Sequence, residues 1–186
     1  MKPSREDGST GIVPASVAHD TASVRRRARA IERAFRQPAI VEEYVDGREL
    51  NVALLGGSVL PLWEIDFSRM PARLPKIVTY ESKWQPGSVE DVGARPRRAR
   101  LSGAALRSVR RVALAAFEAV GLRDYGRVDV RLDRAGVPWV VDVNPNCDLS
   151  PTAGYARAAH AAGIAYPALV RRLVGFALRR KGRSAR

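Results

Sequence analysis

Residues 126–146, GRVDVRLDRAGVPWVVDVNPN, contain the side chains whose types and spacing best suit chemistry. The alternation of apolar and polar residues predicts two β-strands joined by a turn at residues 133–136. A hairpin loop of two or four residues would place Arg127 opposite Asp142. Asp129 would then lie diagonal to Asp142 on the same face of the hairpin, with roughly 7–8 Å between their backbones.

Two short carboxylates at that separation could share one or two hard cations. Asn144 follows Asp142 on the same strand face, which Val140 also shares, while Trp139 points to the other face. Mg²⁺ takes oxygen ligands, a few of them from the protein and the rest from phosphates and water. Arg127 would supply a forked donor for an anionic group. A solvated sheet face with an ordinary Arg127–Asp142 ion pair explains the same residues, so both interpretations stay open at this point.

The segments GRVDVRL and VVDVNPNCDLSP resemble the metal-binding end of ATP-grasp enzymes, in the D-alanine–D-alanine ligase branch. The resemblance implies that Asp129, Asp142 and Asn144 hold two Mg²⁺ ions, or Mn²⁺ in their place, on the phosphates of ATP. It also implies that Arg127 stabilises the carboxylate under attack. Asp142 stands where the family usually has a glutamate, which is one methylene longer.

Three other segments resemble the same family in the same order. Residues 2–12 are similar to its phosphate-covering loop, residues 39–55 to its hinge and adenine strand, and residues 74–84 to its mobile substrate loop. The resemblance implies that ATP is bound at its phosphates by Lys2, Ser9, Thr10 and Lys83, at its adenine by Glu42 and Val45, and at its ribose by Glu49. Lys83 would also act in catalysis, together with Arg127.

Periodicity and boundary residues predict four helices. They span residues 20–37, 102–120, 150–163 and from 167 to the basic end of the chain. We expect Ser102 to cap the second helix, Val120 to be part of its buried stripe, and Val170 and Val174 to face inward on the last. Strands are predicted at residues 39–45, 48–55 and 58–67, and residues 74–100 are predicted to be loop.

Strands joined by hairpins rather than by regular strand–helix alternation predict an α+β fold, with a mainly antiparallel sheet and helices on one face. The resemblance implies the ATP-grasp fold with its N-terminal lobe truncated, because family members carry further residues before the phosphate loop. We expect residues 1–45 to form part of the small lobe, residues 46–178 the large lobe with the metal site, and residues 179–186 a basic tail.

The composition restricts the class of protein. A chain of 186 residues can bury a substantial core. The single cysteine, Cys147, gives no disulfide framework, and we expect it to serve packing in a reducing compartment. The sequence shows no apolar run of membrane-spanning length and no signal peptide, which predicts a cytoplasmic protein with no membrane partner.

The net charge of +13 comes from 28 arginines and 4 lysines against 19 acidic residues. Basic clusters lie at residues 25–27, 95–100 and 179–186. A basic excess can indicate nucleic-acid binding, but no nucleic-acid motif or interleaved aromatic residue accompanies the clusters. We therefore favour solvated helix faces, and expect no nucleic-acid partner.

With the resemblance, these features predict an ATP- and Mg-dependent carboxylate–amine ligase of the D-alanine–D-alanine ligase type, acting on amino acids through an acyl phosphate. Part of the family's amino-acid site comes from its N-terminal lobe. We therefore expect a fragment, or one part of a two-chain enzyme with a separate N-terminal segment, and a poor ligase on its own; a homodimer stays open. The alternatives are a nucleotide-binding remnant without catalysis and a basic nucleic-acid-binding protein.

Overall fold

The computed structural model describes residues 1–101 and 103–184, with side chains as far as residue 180. The predicted helix cap Ser102 and the last two residues of the predicted tail lie outside the described residues. Two compact units form, one from Met1–Tyr44 with Asp66–Arg95 and the other from Val45–Ile65 with Pro96–Arg186. The domain boundaries inferred from the sequence, after residues 45 and 178, stay predictions.

The first unit contains a two-stranded antiparallel ribbon and three α-helices. They are β1 (Lys2–Pro3), α1 (Thr21–Phe35), β2 (Ala39–Ile40), α2 (Tyr80–Trp84) and α3 (Val89–Gly93). The predicted first helix is confirmed. The Asp20 carboxylate caps α1 by accepting a 2.8 Å hydrogen bond from the Ser23 backbone N–H, and Ile31 is fully buried. A left-handed Arg36 ends the helix shortly before Pro38.

Two expectations for this unit are wrong. The strand predicted at residues 39–45 stops at Ile40, because its partner β1 is only two residues long. The loop predicted at residues 74–100 contains α2 and α3. The Thr79 and Ser88 hydroxyls cap these helices by accepting from the backbone N–H groups of Ser82 and Asp91. Each helix has five residues, too few to show the apolar period of a helix in the sequence.

The second unit contains the main sheet. Its elements are β3 (Gly47–Leu55), β4 (Ser58–Val59), β5 (Trp63–Asp66), β6 (Arg95–Arg98), α4 (Gly103–Ala119), β7 (Tyr125–Asp133), β8 (Pro138–Asn144), α5 (Gly154–Ala161) and α6 (Tyr166–Ser184). The strand order is β6-β5-β3-β7-β8, and β4 pairs with the end of β3. Strand β3 pairs antiparallel with β5 and β7, and β7 with β8. The predicted α+β class with an antiparallel sheet is confirmed.

Helices cover both faces of this sheet, whereas one face was expected. On one face, α4 buries Val109, Ala113 and Phe117 against the side chains that β3 and β7 share there, which are Leu50, Val52, Leu54, Val128, Val130 and Leu132. On the other face, α5 and α6 pack over the end of β3. Because successive strand residues alternate in direction, the rest of this second face carries Glu49 and Asn51, as the sequence predicted.

Three sequence-based details of this unit are wrong. Helix α4 ends at Ala119 with Gly121 at a φ of 70°, so Val120 lies beyond it and is exposed. Helix α5 begins at Gly154 rather than at residue 150. On α6 the inward residues are Leu169, Leu173 and Phe176, while Val170 and Val174 are exposed.

Strand β6, RPRR, was predicted as loop, because it has no apolar residue to alternate. Its pairing with β5 forms it instead. No single helix in the described part of the chain is long and apolar enough to cross a membrane. The sharply bent pair Gly154–Ala161 and Tyr166–Arg180 meets that requirement only when the two are taken together.

Candidate functional site

A row of polar residues crosses the second face of the main sheet. Asn51 on β3 lies directly opposite Asp129 on β7, and Asp129 lies opposite Asp142 on β8. Directly opposed residues of an antiparallel pair point to the same face, with about 4.5–5.5 Å between their Cβ atoms. The sheet therefore presents two carboxylates and an amide side by side, on the face away from α4.

The pairing of the two carboxylates differs from the register predicted for the hairpin. The loop has three residues, 134–136, with Gly136 at a φ of 81°, and the ladder shifts between Asp129 and Val130. The shift leaves Val141 as an extra residue, a β-bulge. Asp142 is therefore opposite Asp129 rather than diagonal to it.

Arg127 lies opposite Asn144 rather than opposite Asp142. The bulge also changes the predicted faces of β8. Trp139 lies opposite Arg131, on the polar face, and Val140 lies opposite Val130, on the other one. Arg127 is two residues from Asp129 on β7 and therefore points to the same face. Asn144, opposite Arg127, thus lies on the polar face with Asp129 and Asp142, as the sequence predicted.

Asp129 is the centre of the polar row. Arg127 donates to it in a fork, from Nε to Oδ1 and from Nη2 to Oδ2, both at 2.7 Å. Asn51 Nδ2 donates to Oδ1 at 2.9 Å. Burial by itself lowers the pKa of Arg127, but the adjacent charge and hydrogen bonds of Asp129 outweigh it and raise that pKa above its ordinary value. The guanidinium therefore stays charged, and three of its five N–H donors remain outside the fork.

Glu49, whose contact with a ribose stays a prediction, is paired with an arginine within the sheet. Arg131, directly opposite it on β7, approaches it at 2.9 Å and also donates to the Gly47 carbonyl at 3.2 Å. Both side chains are largely buried. Asn51 and Arg131 were not among the predicted site residues, although strict alternation along β3 and β7 places them on the same face as Glu49 and Asp129.

The oxygen atoms of Asp129, Asp142 and Asn144 fit a hard cation. Among the described residues no group of three or more His, Cys, Asp or Glu side chains converges, so the donor set is two carboxylates and one amide. Such a set suits Mg²⁺, which keeps most of its positions for phosphate and water. The carboxylate of Asp142 is exposed, and Asn144 Oδ1 is oriented by accepting from the Asn146 N–H at 2.9 Å.

The chain that follows the hairpin is anchored beneath this face. Cys147 is buried next to Tyr155 in the core of α5 and α6, and its burial raises the pKa of the thiol to about 11. The Tyr155 hydroxyl donates to the Leu54 carbonyl at 2.7 Å. Burial also raises the pKa of Tyr155. As predicted, Cys147 serves packing.

The other predicted nucleotide ligands, apart from Val45, lie in the first unit. Lys2 Nζ pairs with Glu42 Oε2 at 3.1 Å, next to the β1–β2 ribbon. The resemblance implied different contacts for these two residues, with Lys2 at a phosphate and Glu42 at the adenine. Lys83 is exposed on α2. Val45 is half-buried at the start of the second unit, just before β3.

The glycine-rich loop of the first unit is tied to the segment before and within α2. Ser9, with a positive φ of 64°, donates from its hydroxyl to the Val78 carbonyl at 3.0 Å. Trp84 Nε1 donates to the Gly8 carbonyl at 2.8 Å. Thr10, which follows Ser9, is half-buried. The structure thus brings Ser9 and Thr10 into one body with the segment that carries Lys83.

Comparison with known proteins identifies the family. The model of the D-ala D-ala ligase C-terminus matches residues 1–175. The chain is 37% identical over 183 residues to the uncharacterized protein y4sG of Sinorhizobium fredii, and 32% identical over 180 residues to the D-alanine–D-alanine ligase of Synechococcus sp. strain JA-3-3Ab. Each match covers 97% of this chain and 52% of the relative, so the chain spans about half the length of these relatives.

The fold agrees with that result. The D-alanine–D-alanine ligase of Bacillus anthracis, solved in complex with ATP, superposes with a TM-score of 0.71 at 19% identity. The superposition covers 90% of this chain and 50% of the ligase. The resemblance inferred from the sequence is confirmed: the chain belongs to the D-alanine–D-alanine ligase C-terminus family, within the ATP-grasp superfamily.

Proposed function

We propose that this chain carries the metal- and phosphate-binding part of an ATP-dependent carboxylate–amine ligase of the D-alanine–D-alanine ligase type. The observation that carries the proposal is the polar row, in which Asp129 and Asp142 face each other beside the charged Arg127. Family membership supports the class of reaction, with small amino acids as substrates.

Asp129, Asp142 and Asn144 would hold Mg²⁺. The ion would neutralise phosphate charge during transfer to the substrate carboxylate. Asp129 fixes Arg127 through two of its donors, so the guanidinium enters the reaction already oriented. Its remaining donors can hold the oxygen of a carboxylate under attack, where negative charge develops.

Calorimetry with ATP tests the nucleotide and metal part of the proposal. We expect binding by the wild-type chain in the presence of Mg²⁺, and much weaker binding after chelation. Asp142→Asn should weaken Mg–ATP binding at least tenfold. Asp142 takes no part in the two hydrogen bonds between Arg127 and Asp129, so the substitution leaves those bonds in place. Glu118→Gln, which removes an exposed carboxylate from α4, is the matched control and should bind like wild type. Equal affinity in Asp142→Asn and wild type would reject this metal site.

Release of inorganic phosphate from ATP tests the reaction itself. We expect D-alanine to stimulate release, and Arg127→Lys to reduce that stimulation because lysine lacks the fork. We expect slow turnover by the 186-residue chain, since the relatives that it matches are about twice as long. Nucleotide binding without stimulation by any amino acid would instead support a nucleotide-binding protein that does not catalyse ligation.

A further inference from the structure

The polar row continues beyond Asn51 to an aromatic residue. Trp63 on β5 lies directly opposite Asn51, so Trp63, Asn51, Asp129 and Asp142 form one line across four strands. The guanidinium carbon of Arg157, on α5, lies 5.3 Å from the centre of the Trp63 ring. Arg157 is half-buried at this place. The positive charge of Arg157 therefore lies at one end of the row, and Asp142 lies at the other end.

Among the described residues, Arg157 has no acidic partner, unlike Arg127 and Arg131 on the same face. Arg127 holds Asp129 at 2.7 Å and Arg131 holds Glu49 at 2.9 Å. Within the described part of the chain, Arg157 Nε is buried without a hydrogen-bond acceptor, and so is Trp63 Nε1. Buried donors without an acceptor are costly and rare in native proteins. Two of them meeting at one contact indicate a site that an acceptor from outside the chain completes.

We propose that Arg157 and Trp63 form an anion subsite at this end of the row, and that the subsite takes the carboxylate of the amino acid whose amine attacks the acyl phosphate. The proposal rests on the proposed ligase function. Contact with the ring attracts the positive charge of the guanidinium but supplies no hydrogen-bond acceptor, so its N–H donors stay available for a carboxylate. Trp63 is two strands from Asp129, which at about 4.8 Å a strand amounts to roughly 10 Å. The carboxylate of the attacking amino acid would therefore bind apart from the metal-bound phosphate, while the carboxylate that receives the phosphoryl group would lie at Arg127.

The test compares ligands with and without the carboxylate. D-alanine and D-alaninamide, and then glycine and glycinamide, are titrated into the full chain by calorimetry with Mg²⁺ and ATP present. We expect wild type to bind the acids more tightly than the amides. Arg157→Ala should weaken acid binding at least tenfold and leave amide binding unchanged. Arg157→Lys, which keeps the charge and loses the fork, should fall between them.

Arg110→Ala removes an exposed arginine from α4, on the other side of the sheet, and should bind like wild type. Thermal unfolding of each variant identifies any that fail to fold, and Arg157→Lys then decides in place of Arg157→Ala.

Equal weakening of acid and amide, or no preference for the acids in wild type, would overturn the proposal. Weaker Mg–ATP binding in Arg157→Ala with unchanged D-alanine binding would do the same, because the subsite would then serve a phosphate. Failure of wild type to bind Mg–ATP would count against the proposed function. The difference between acid and amide binding tests the Arg157 subsite separately.

Discussion

Asp129 combines two roles that the sequence suggested for different residues. It is a candidate metal ligand, and it is also the anion that compensates Arg127 and receives Asn51. Asp142, directly opposite, is exposed and lies on the edge strand. The two carboxylates of the row therefore differ in what their removal does to the fold, although both belong to the same candidate site.

Asp129→Asn should lower the free energy of unfolding by about 2–4 kcal/mol, because it leaves a largely buried guanidinium without its counter-charge. Asp142→Asn should change it by less than about 1 kcal/mol, because the charge interactions of an exposed carboxylate contribute little to stability. Urea unfolding of the three proteins measures both values. A loss in Asp142→Asn as large as in Asp129→Asn would mean that the two carboxylates are equally structural.

The buried thiol of Cys147 predicts a pH dependence of stability. Burial raises its pKa from the ordinary 9.0 to about 11 in the folded chain, so the folded state retains the proton more strongly than the unfolded state. This contribution is complete below pH 9 and is lost as the pH rises toward 11. Between pH 8 and pH 10.5 the wild type should lose roughly 2 kcal/mol that Cys147→Ala does not lose. Guanidinium unfolding of both proteins checks this, and parallel pH profiles would contradict it.

At the scale of elements, the hairpin shows what alternation can and cannot predict. Both strands, the turn and the polar face of β7 follow from the sequence. The register does not, because an extra residue in one strand leaves the sequence pattern in place but changes which residues face each other and reverses the faces on one side of the bulge. Trp139 and Val140 were therefore assigned to the wrong faces, while Asp142 and Asn144, beyond the bulge, were assigned correctly.

Removal of the bulge residue is a direct test of this register. Deletion of Val141 should leave a regular ladder in which Asp142 still faces Asp129 and Asn144 still faces Arg127. We expect this variant to fold and to bind Mg–ATP within a few-fold of wild type. Deletion of Val143 should move Asn144 to the apolar face packed on α4 and cost roughly 2–4 kcal/mol more, because a polar amide would be buried there. Equal losses of stability in the two deletions would contradict the assigned bulge.

For the whole molecule, the sequence predicted the class of fold and most elements, and the misses share a cause. Strand β6 and helices α2 and α3 lack an apolar repeat of their own. They form through a neighbouring strand or through side-chain caps. Asn51, Trp63 and Arg157 become site residues only through pairing and packing between elements far apart in the chain. Residue types on a single strand cannot predict such neighbours.

The net charge of +13 belongs to the molecule as a whole. On α1, Arg25 and Arg26 are exposed, as expected for a solvated face, while Arg27 donates to the Gly11 carbonyl at 2.5 Å. Duplex DNA should therefore bind only non-specifically, with a Kd of roughly 10⁻⁴–10⁻⁶ M near physiological salt. Fluorescence anisotropy with two unrelated duplexes should show equal affinities that fall steeply between about 50 and about 200 mM salt. Tight binding to one duplex would support a nucleic-acid-binding function.

The bulge at Val141 has a consequence for the behaviour of the protein in concentrated solution. Strand β8 is an edge of the main sheet and exposes Trp139 and Val140, a combination that favours pairing with a second chain. Pro138 lacks an N–H to donate, and the bulge twists the ladder away from a flat template. A variant without Val141 should therefore self-associate at lower concentration than wild type, and sedimentation velocity would detect the difference. The bulge in the strand that carries Asp142 would thus also disfavour pairing of the free edge of β8 with β8 of a second copy of the chain.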